Sequence, residues 1–107
     1  MKSICVFGVF VADLCFVGKK IPSKGQTVLG KQHVVGPGGK GSNQAIAAAR
    51  LNGEVSFITK VGKDSHSEMA FNLYKEAGLK THSIIQDKNL FTGVAGIMID
   101  EDGNNAI

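Results

Sequence analysis

An alanine-rich stretch, NQAIAAARLN at 43–52, stands between short apolar runs of β-forming residues, SICVFG at 3–8 and VSFITK at 55–60. Alanine is the strongest helix former, and side chains this small let a helix pack closely against a sheet. The flanking runs read as buried strands, of the kind found in parallel sheets. The spacing predicts a helix from Ser42 or Asn43 that stops by Gly53. A second helix is expected from Ser65, because Ser65 and Glu68 have capping-box spacing. Its apolar face would hold Met69, Ala70, Leu73, Tyr74 and Ala77, and Gly78 would end it. Further β-like runs cover 9–17, 28–35, 82–86 and 92–99, with 18–27 as loop. DEDGNN (100–105) spells a hairpin turn, after which only Ala106 and Ile107 remain. Alternating strands and helices with extra antiparallel strands give an α/β fold class. A chain that stops just after a hairpin turn is expected to be a fragment or a truncated reading frame.

The 107 residues predict one domain, and the formal charge is +3. The basic residues are scattered, with only Lys19 and Lys20 adjacent, so no nucleic-acid surface is expected. Mild basicity suits a small anionic ligand. Cys5 and Cys15 sit in apolar runs without metal or redox spacing and read as buried thiols of a reducing compartment. The first apolar run is interrupted by Gly8 and Asp13 and lacks a cleavage site, so it reads neither as a signal peptide nor as a membrane span. A cytoplasmic protein with no membrane partner is expected. His33, His66 and His82 lack metal-ligand spacing, and no metal site is expected among these residues.

Residues 36–41, GPGGKG, satisfy the dinucleotide fingerprint G-x-G-x-x-G between a strand and a helix. The acidic residue expected about twenty positions later is missing, since Thr59, Lys60 and Val61 stand there. A P-loop fails too, because Gly41 follows Lys40 and Val34 occupies the position of the first glycine. Consecutive glycines still let a ligand approach the backbone, Lys40 brings three donors, and Asn43 brings a donor and an acceptor. That set suits a small, hydroxyl-rich ligand; the plainer alternative is a tight turn feeding a helix, with Lys40 solvated. Asp13, within VFVADLCFV, is costly to bury alone. It can anchor neighbouring sugar hydroxyls, or cap a turn or face solvent.

In chain order these residues resemble the start of the PfkB carbohydrate kinase family. The matching motifs are G-x-x-x-A-D (Gly8 to Asp13), P-x-x-G-Q-T (Pro22 to Thr27), GGKGSNQA (38–45), TKVGKD (59–64) and T-G-V-A (Thr92 to Ala95). One departure is Asn52, where the family expects Gly or Ser. The resemblance implies the N-terminal part of a ribokinase-like doubly wound sheet with a small antiparallel β lid, its strands near 14–17, 28–35 and 92–107. It implies substrate contacts at Asp13, Gly38, Gly39, Lys40 and Asn43, and lid contacts at Val11, Ala95 and Ile97. It implies ATP-dependent phosphorylation of a pentose primary hydroxyl, and homodimer formation through lid strands. The catalytic base and the sites for ATP, Mg²⁺ and possibly K⁺ would lie beyond Ile107, so these residues alone would be inactive. A non-catalytic sugar-binding or lid-pairing fragment is the alternative. Ribokinases carry Asn where Val11 stands, whereas deoxyribokinases have an apolar residue there. Val11 therefore implies a sugar such as 2-deoxyribose, because a ribose hydroxyl would go unpaired beside it.

Overall fold

The computed structural model describes residues 2–107. Seven strands and two helices follow one another as β1 (Ser3–Phe7), β2 (Val11–Val17), β3 (Gln32–Gly38), α1 (Lys40–Arg50), β4 (Glu54–Gly62), α2 (Ser65–Ala77), β5 (Ile84–Asp87), β6 (Val94–Ile99) and β7 (Asn105–Ala106). They form a mixed α/β structure with two sheets, β1-β4-β5 and β3-β2-β6-β7. The chain divides into two compact units, Met1–Val11 with Pro37–Gly93, and Ala12–Gly36 with Val94–Ile107.

The first unit holds the all-parallel sheet β1-β4-β5. Parallel neighbours need crossovers; α1 precedes β4, and α2 lies between β4 and β5. Along β4, Val55, Phe57, Thr59 and Val61 are buried while Ile58 and Lys60 are exposed, a period of two that marks one covered face. Ser42, Ala45, Ile46 and Ala49 are the buried stripe of α1, at helical spacing. Ala70 and Tyr74 lead the apolar face of α2, with Met69, Leu73 and Ala77 half-buried beside them.

Strand β1 is parallel as expected but not buried. Its register puts Cys5 opposite Ser56 and Phe7 opposite Ile58, on the face turned away from the helices. Phe7 is 84% exposed, Ile58 38% and Ile85 60%. The expectation of two buried thiols is corrected: Cys5 is exposed on that open face, and Cys15, in β2, is only half-buried.

Several boundaries also differ. Helix α1 begins at Lys40, before Ser42, because the Asn43 N–H bonds the Gly39 carbonyl at 2.9 Å and closes the first turn there. Helix α2 is capped by Asp64 and Ser67, not Ser65 and Glu68: Asp64 accepts from the Ser67 N–H, and the Ser67 hydroxyl oxygen accepts from the Asp64 N–H. Gly78, with φ 77°, ends the helix in the left-handed conformation as expected. Strand β3 covers Gln32–Gly38 rather than 28–35. It lies at a sheet edge, the position in a sheet that best tolerates a proline such as Pro37.

In the second unit, β6 and β7 form the expected hairpin, antiparallel with Met98 opposite Ala106. Asp100 organises its turn by accepting from the backbone N–H groups of Asp102 and Asn104. The sheet is mixed rather than wholly antiparallel, since β2 and β6 run parallel from Ala12↔Val94 to Val17↔Ile99. The long stretch between them, with both helices and β4, permits the parallel pairing that a hairpin forbids.

Candidate functional site

The predicted site residues fall into two groups, one at the start of α1 and one along β2 and β6. Strand β3 ends at Gly38 and α1 begins at Lys40, so the glycine loop is the seam between a strand and a helix. Gly39, at φ 97° and ψ 123°, is the hinge residue of that seam. A Cβ there would stand 2.3 Å from the Val9 carbonyl oxygen and 3.0 Å from the Phe10 Cα. A Cβ on Gly41 would stand 2.8 Å from the Gly8 Cα. The Ser42 N–H adds a hydrogen bond to the Val9 carbonyl at 3.3 Å. Gly39 and Gly41 therefore let the helix dock backbone to backbone on residues 8–10.

Below this seam, the buried hydroxyls of Ser42 and Tyr74 are hydrogen-bonded at 2.7 Å. Phe10 and Phe57 meet the Tyr74 ring edge to face, at centroid distances of 6.2 and 5.6 Å. Burial pushes the Tyr74 phenol up to about 12, against the smaller opposing effect of the Ser42 hydrogen bond. The Ser42–Tyr74 pair thus fixes the first turn of α1 from inside. Lys40 and Asn43 in the same turn are exposed. Gly39 brings no capping side chain, and no acidic residue stands in the first turn. The positive end of the helix dipole is left with Lys40 and Asn43 beside it, an arrangement that favours electron-rich oxygen atoms.

In the second unit, Asp13 is half-buried in β2 and its register partner is Ala95. Cys15 is opposite Ile97. Register partners in a parallel pair point to the same side, so Asp13, Cys15, Ala95 and Ile97 share one face of the sheet. Ala95 and Ile97 are half-buried on β6, whereas Val94, Gly96 and Met98 are exposed. Val11 precedes Asp13 by two positions, on the same side of the strand. This face sets a carboxylate among apolar groups, and His33, away from it, stacks on Phe16 at 4.9 Å.

Sequence reasoning did not single out the polar knot around Asp64. Its Oδ1 accepts from the Ser67 N–H at 2.9 Å and the Thr92 hydroxyl at 2.8 Å, and its Oδ2 accepts from the Thr92 N–H at 2.9 Å. The Thr92 hydroxyl oxygen in turn accepts from the Gly62 N–H at 3.0 Å. The Thr92 N–H, above all, holds the Asp64 carboxyl down at about 2. The spacing Asp64-x-x-Ser67 was a visible signal, but Ser65-x-x-Glu68 matched the capping pattern as well. Among the described residues no three His, Cys, Asp or Glu side chains converge as metal donors, and no helix is long and apolar enough to cross a membrane.

The family model described as pfkB family carbohydrate kinase matches residues 1–107. The chain is 38% identical to the ribokinase of Bacillus subtilis over its whole length, which covers 36% of that protein. It is 34% identical to the deoxyribokinase of Salmonella typhimurium, over 97% of this chain and 34% of that one. The structure of ribokinase from Giardia lamblia matches with a TM-score of 0.88 at 36% identity, covering 97% of this chain and 31% of that one. Arabidopsis thaliana ribokinase, complexed with ribose and ATP, matches with a TM-score of 0.86 at 29% identity, covering 97% of this chain and 34% of that one. The chain spans about a third of the length of the curated relatives it matches. It belongs to the pfkB family of carbohydrate kinases.

Proposed function

We propose that the intact protein transfers a phosphoryl group from ATP to the primary hydroxyl of a pentose, ribose or 2-deoxyribose, and that these residues supply its sugar-binding part. The observation that carries this reading is the pair Lys40 and Asn43, exposed at a helix start that has no capping side chain. The likeness to ribokinases and a deoxyribokinase along nearly the whole chain supports it. Asp13 accepts hydrogen bonds from adjacent sugar hydroxyls, Lys40 donates to a sugar oxygen, and Asn43 does both. Gly38 and Gly39 bring the backbone close to the sugar, and Val11, Ala95 and Ile97 contact its apolar edges. The strands of the second unit act as a lid, and two copies pair through them.

The base that takes the hydroxyl proton, and the groups that hold ATP, Mg²⁺ and K⁺, are assigned to the part of the family's length that residues 1–107 do not span. Among the described residues no three His, Cys, Asp or Glu side chains converge as metal donors. The part these residues play is to bind and orient the sugar for in-line attack, and positioning of this kind supplies much of the rate in phosphoryl transfer. Residues 1–107 alone bind sugar without turning it over. The protein works in the cytoplasm, where Cys5 and Cys15 remain thiols.

Val11 selects the sugar. An isopropyl group where a ribose hydroxyl would sit leaves that hydroxyl without a partner, so kcat/KM for 2-deoxyribose should exceed that for ribose by about tenfold or more. Val11→Asn should reverse the preference. Equal kcat/KM for the two sugars in the intact protein would remove Val11 from this role, and absence of ATP-dependent turnover of either would remove the pentose kinase reading.

A further inference from the structure

The hydrogen bonds around Asp64 exceed what a helix cap requires. Capping α2 uses the Ser67 N–H and one carboxylate oxygen. The second oxygen is committed to the N–H of Thr92, and the Thr92 hydroxyl bonds the first. Thr92 is 4% exposed, 28 residues from Asp64, and two positions before β6 begins at Val94. Gly62 closes the knot: its N–H donates to the Thr92 hydroxyl, and a Cβ there would stand 2.3 Å from the Leu90 carbonyl oxygen and 2.7 Å from the Thr92 nitrogen. Gln86 also reaches toward the Gly62 carbonyl and the Ser67 hydroxyl, each at 3.4 Å. The chain is thus gripped where it enters the strand bearing Ala95 and Ile97.

We propose that Asp64 is a positioning residue for substrate binding: through Thr92 it sets where β6 begins, and so holds Ala95 opposite Asp13 and Ile97 opposite Cys15. The proposal rests on the reading of those residues as sugar contacts. A slip of one residue would turn Ala95 and Ile97 to the other face of the sheet. The depressed carboxyl of Asp64 means that the grip is made by a charged acceptor across the whole neutral range.

Two substitutions separate this role from capping. Asp64→Asn keeps Oδ1 for Ser67 and the Thr92 hydroxyl, and asparagine caps helices as well as aspartate does. It sets an amide NH₂ against the Thr92 N–H, donor against donor. Thr92→Val leaves the Asp64 cap intact and removes the hydroxyl from the knot. In the intact protein, Asp64→Asn should raise the KM for pentose about tenfold with the KM for ATP unchanged. Thr92→Val should shift it in the same direction, and Thr92→Ser should restore the wild-type value. Amide exchange at 94–97 should accelerate about tenfold relative to β4 in both damaging variants.

A merely structural role would lower the active fraction, and hence kcat, with both KM values unchanged; that result overturns the proposal. If Asp64→Asn does not yield folded protein, Thr92→Val decides by the same criterion. If the wild-type protein turns over no pentose, the functional reading fails, and exchange decides: wild-type rates at 94–97 in the folded variants overturn the proposal, and selective acceleration there supports the grip on β6.

Discussion

Replacing Gly39 by alanine tests whether the seam before α1 is built by backbone contact. Gly39 combines two demands, a φ of 97° with ψ 123° and a Cβ position 2.3 Å from the Val9 carbonyl oxygen. Backbone strain in such a region costs about 1–3 kcal/mol. Forcing a methyl group against packed backbone costs about 1–3 kcal/mol more. The two together give a destabilisation of roughly 2–6 kcal/mol for Gly39→Ala. Gly78 separates the terms, because it has a φ of 77° with nothing within 4 Å of its Cβ position. Gly78→Ala should cost only the left-handed strain, about 1–2 kcal/mol. Urea unfolding followed by far-ultraviolet circular dichroism suits a chain with no tryptophan. The midpoint should fall with an unchanged slope, and further for Gly39→Ala than for Gly78→Ala. Equal losses in the two variants would refute the argument that α1 docks on residues 8–10 through its glycines.

Other outcomes follow from the buried polar groups and the exposed face. Tyr74→Phe orphans the Ser42 hydroxyl and should lower stability by about 1–2 kcal/mol, measured by the same unfolding curves. The Tyr74 phenol is raised from 10.0 to about 12, so its contribution is complete below pH 10 and is lost as pH rises toward 12; Tyr74→Phe should flatten that alkaline decline. The Asp64 carboxyl is lowered from 3.8 to about 2, so its contribution is complete above about pH 4 and is lost as pH falls toward 2. Each tenfold change in proton affinity is worth about 1.4 kcal/mol, and partial solvent contact reduces the Asp64 contribution to about 1 kcal/mol. Acid unfolding of Asp64→Asn should lack that step. The 107-residue chain exposes Phe7, Ile58 and Ile85 on one sheet face and should self-associate in sedimentation velocity, whereas a monodisperse monomer would show that this face is tolerated in water.

Hydrophobic period and turn chemistry made the order of elements readable. Both helices, the stop at Gly78 and the β6–β7 hairpin are written in local residue choices. What local pattern does not carry is which side of a strand will be covered. SICVFG has the composition of a buried strand, yet its register with β4 turns Cys5 and Phe7 to the open face. Capping was ambiguous for a similar reason, since two overlapping tetrads fit the motif and only the reach from Asp64 to Thr92 distinguishes them. The glycines around Lys40 were readable as a site of close approach. That the approaching group at Gly39 and Gly41 is the protein's own backbone at 8–10 is a tertiary fact. Residue type and motif singled out Lys40 and Asn43 as candidates, and the structure exposes both in the first turn of α1. The Ser42–Tyr74 bond behind the first turn of α1 joins residues 32 apart and leaves no sequence trace.

Calorimetric titration of the intact protein with 2-deoxyribose, without nucleotide, tests most directly whether these residues hold a pentose. One saturable site is expected in the wild type, weakened about tenfold or more in Asp13→Ala. No binding, or equal affinity in the two proteins, would contradict it.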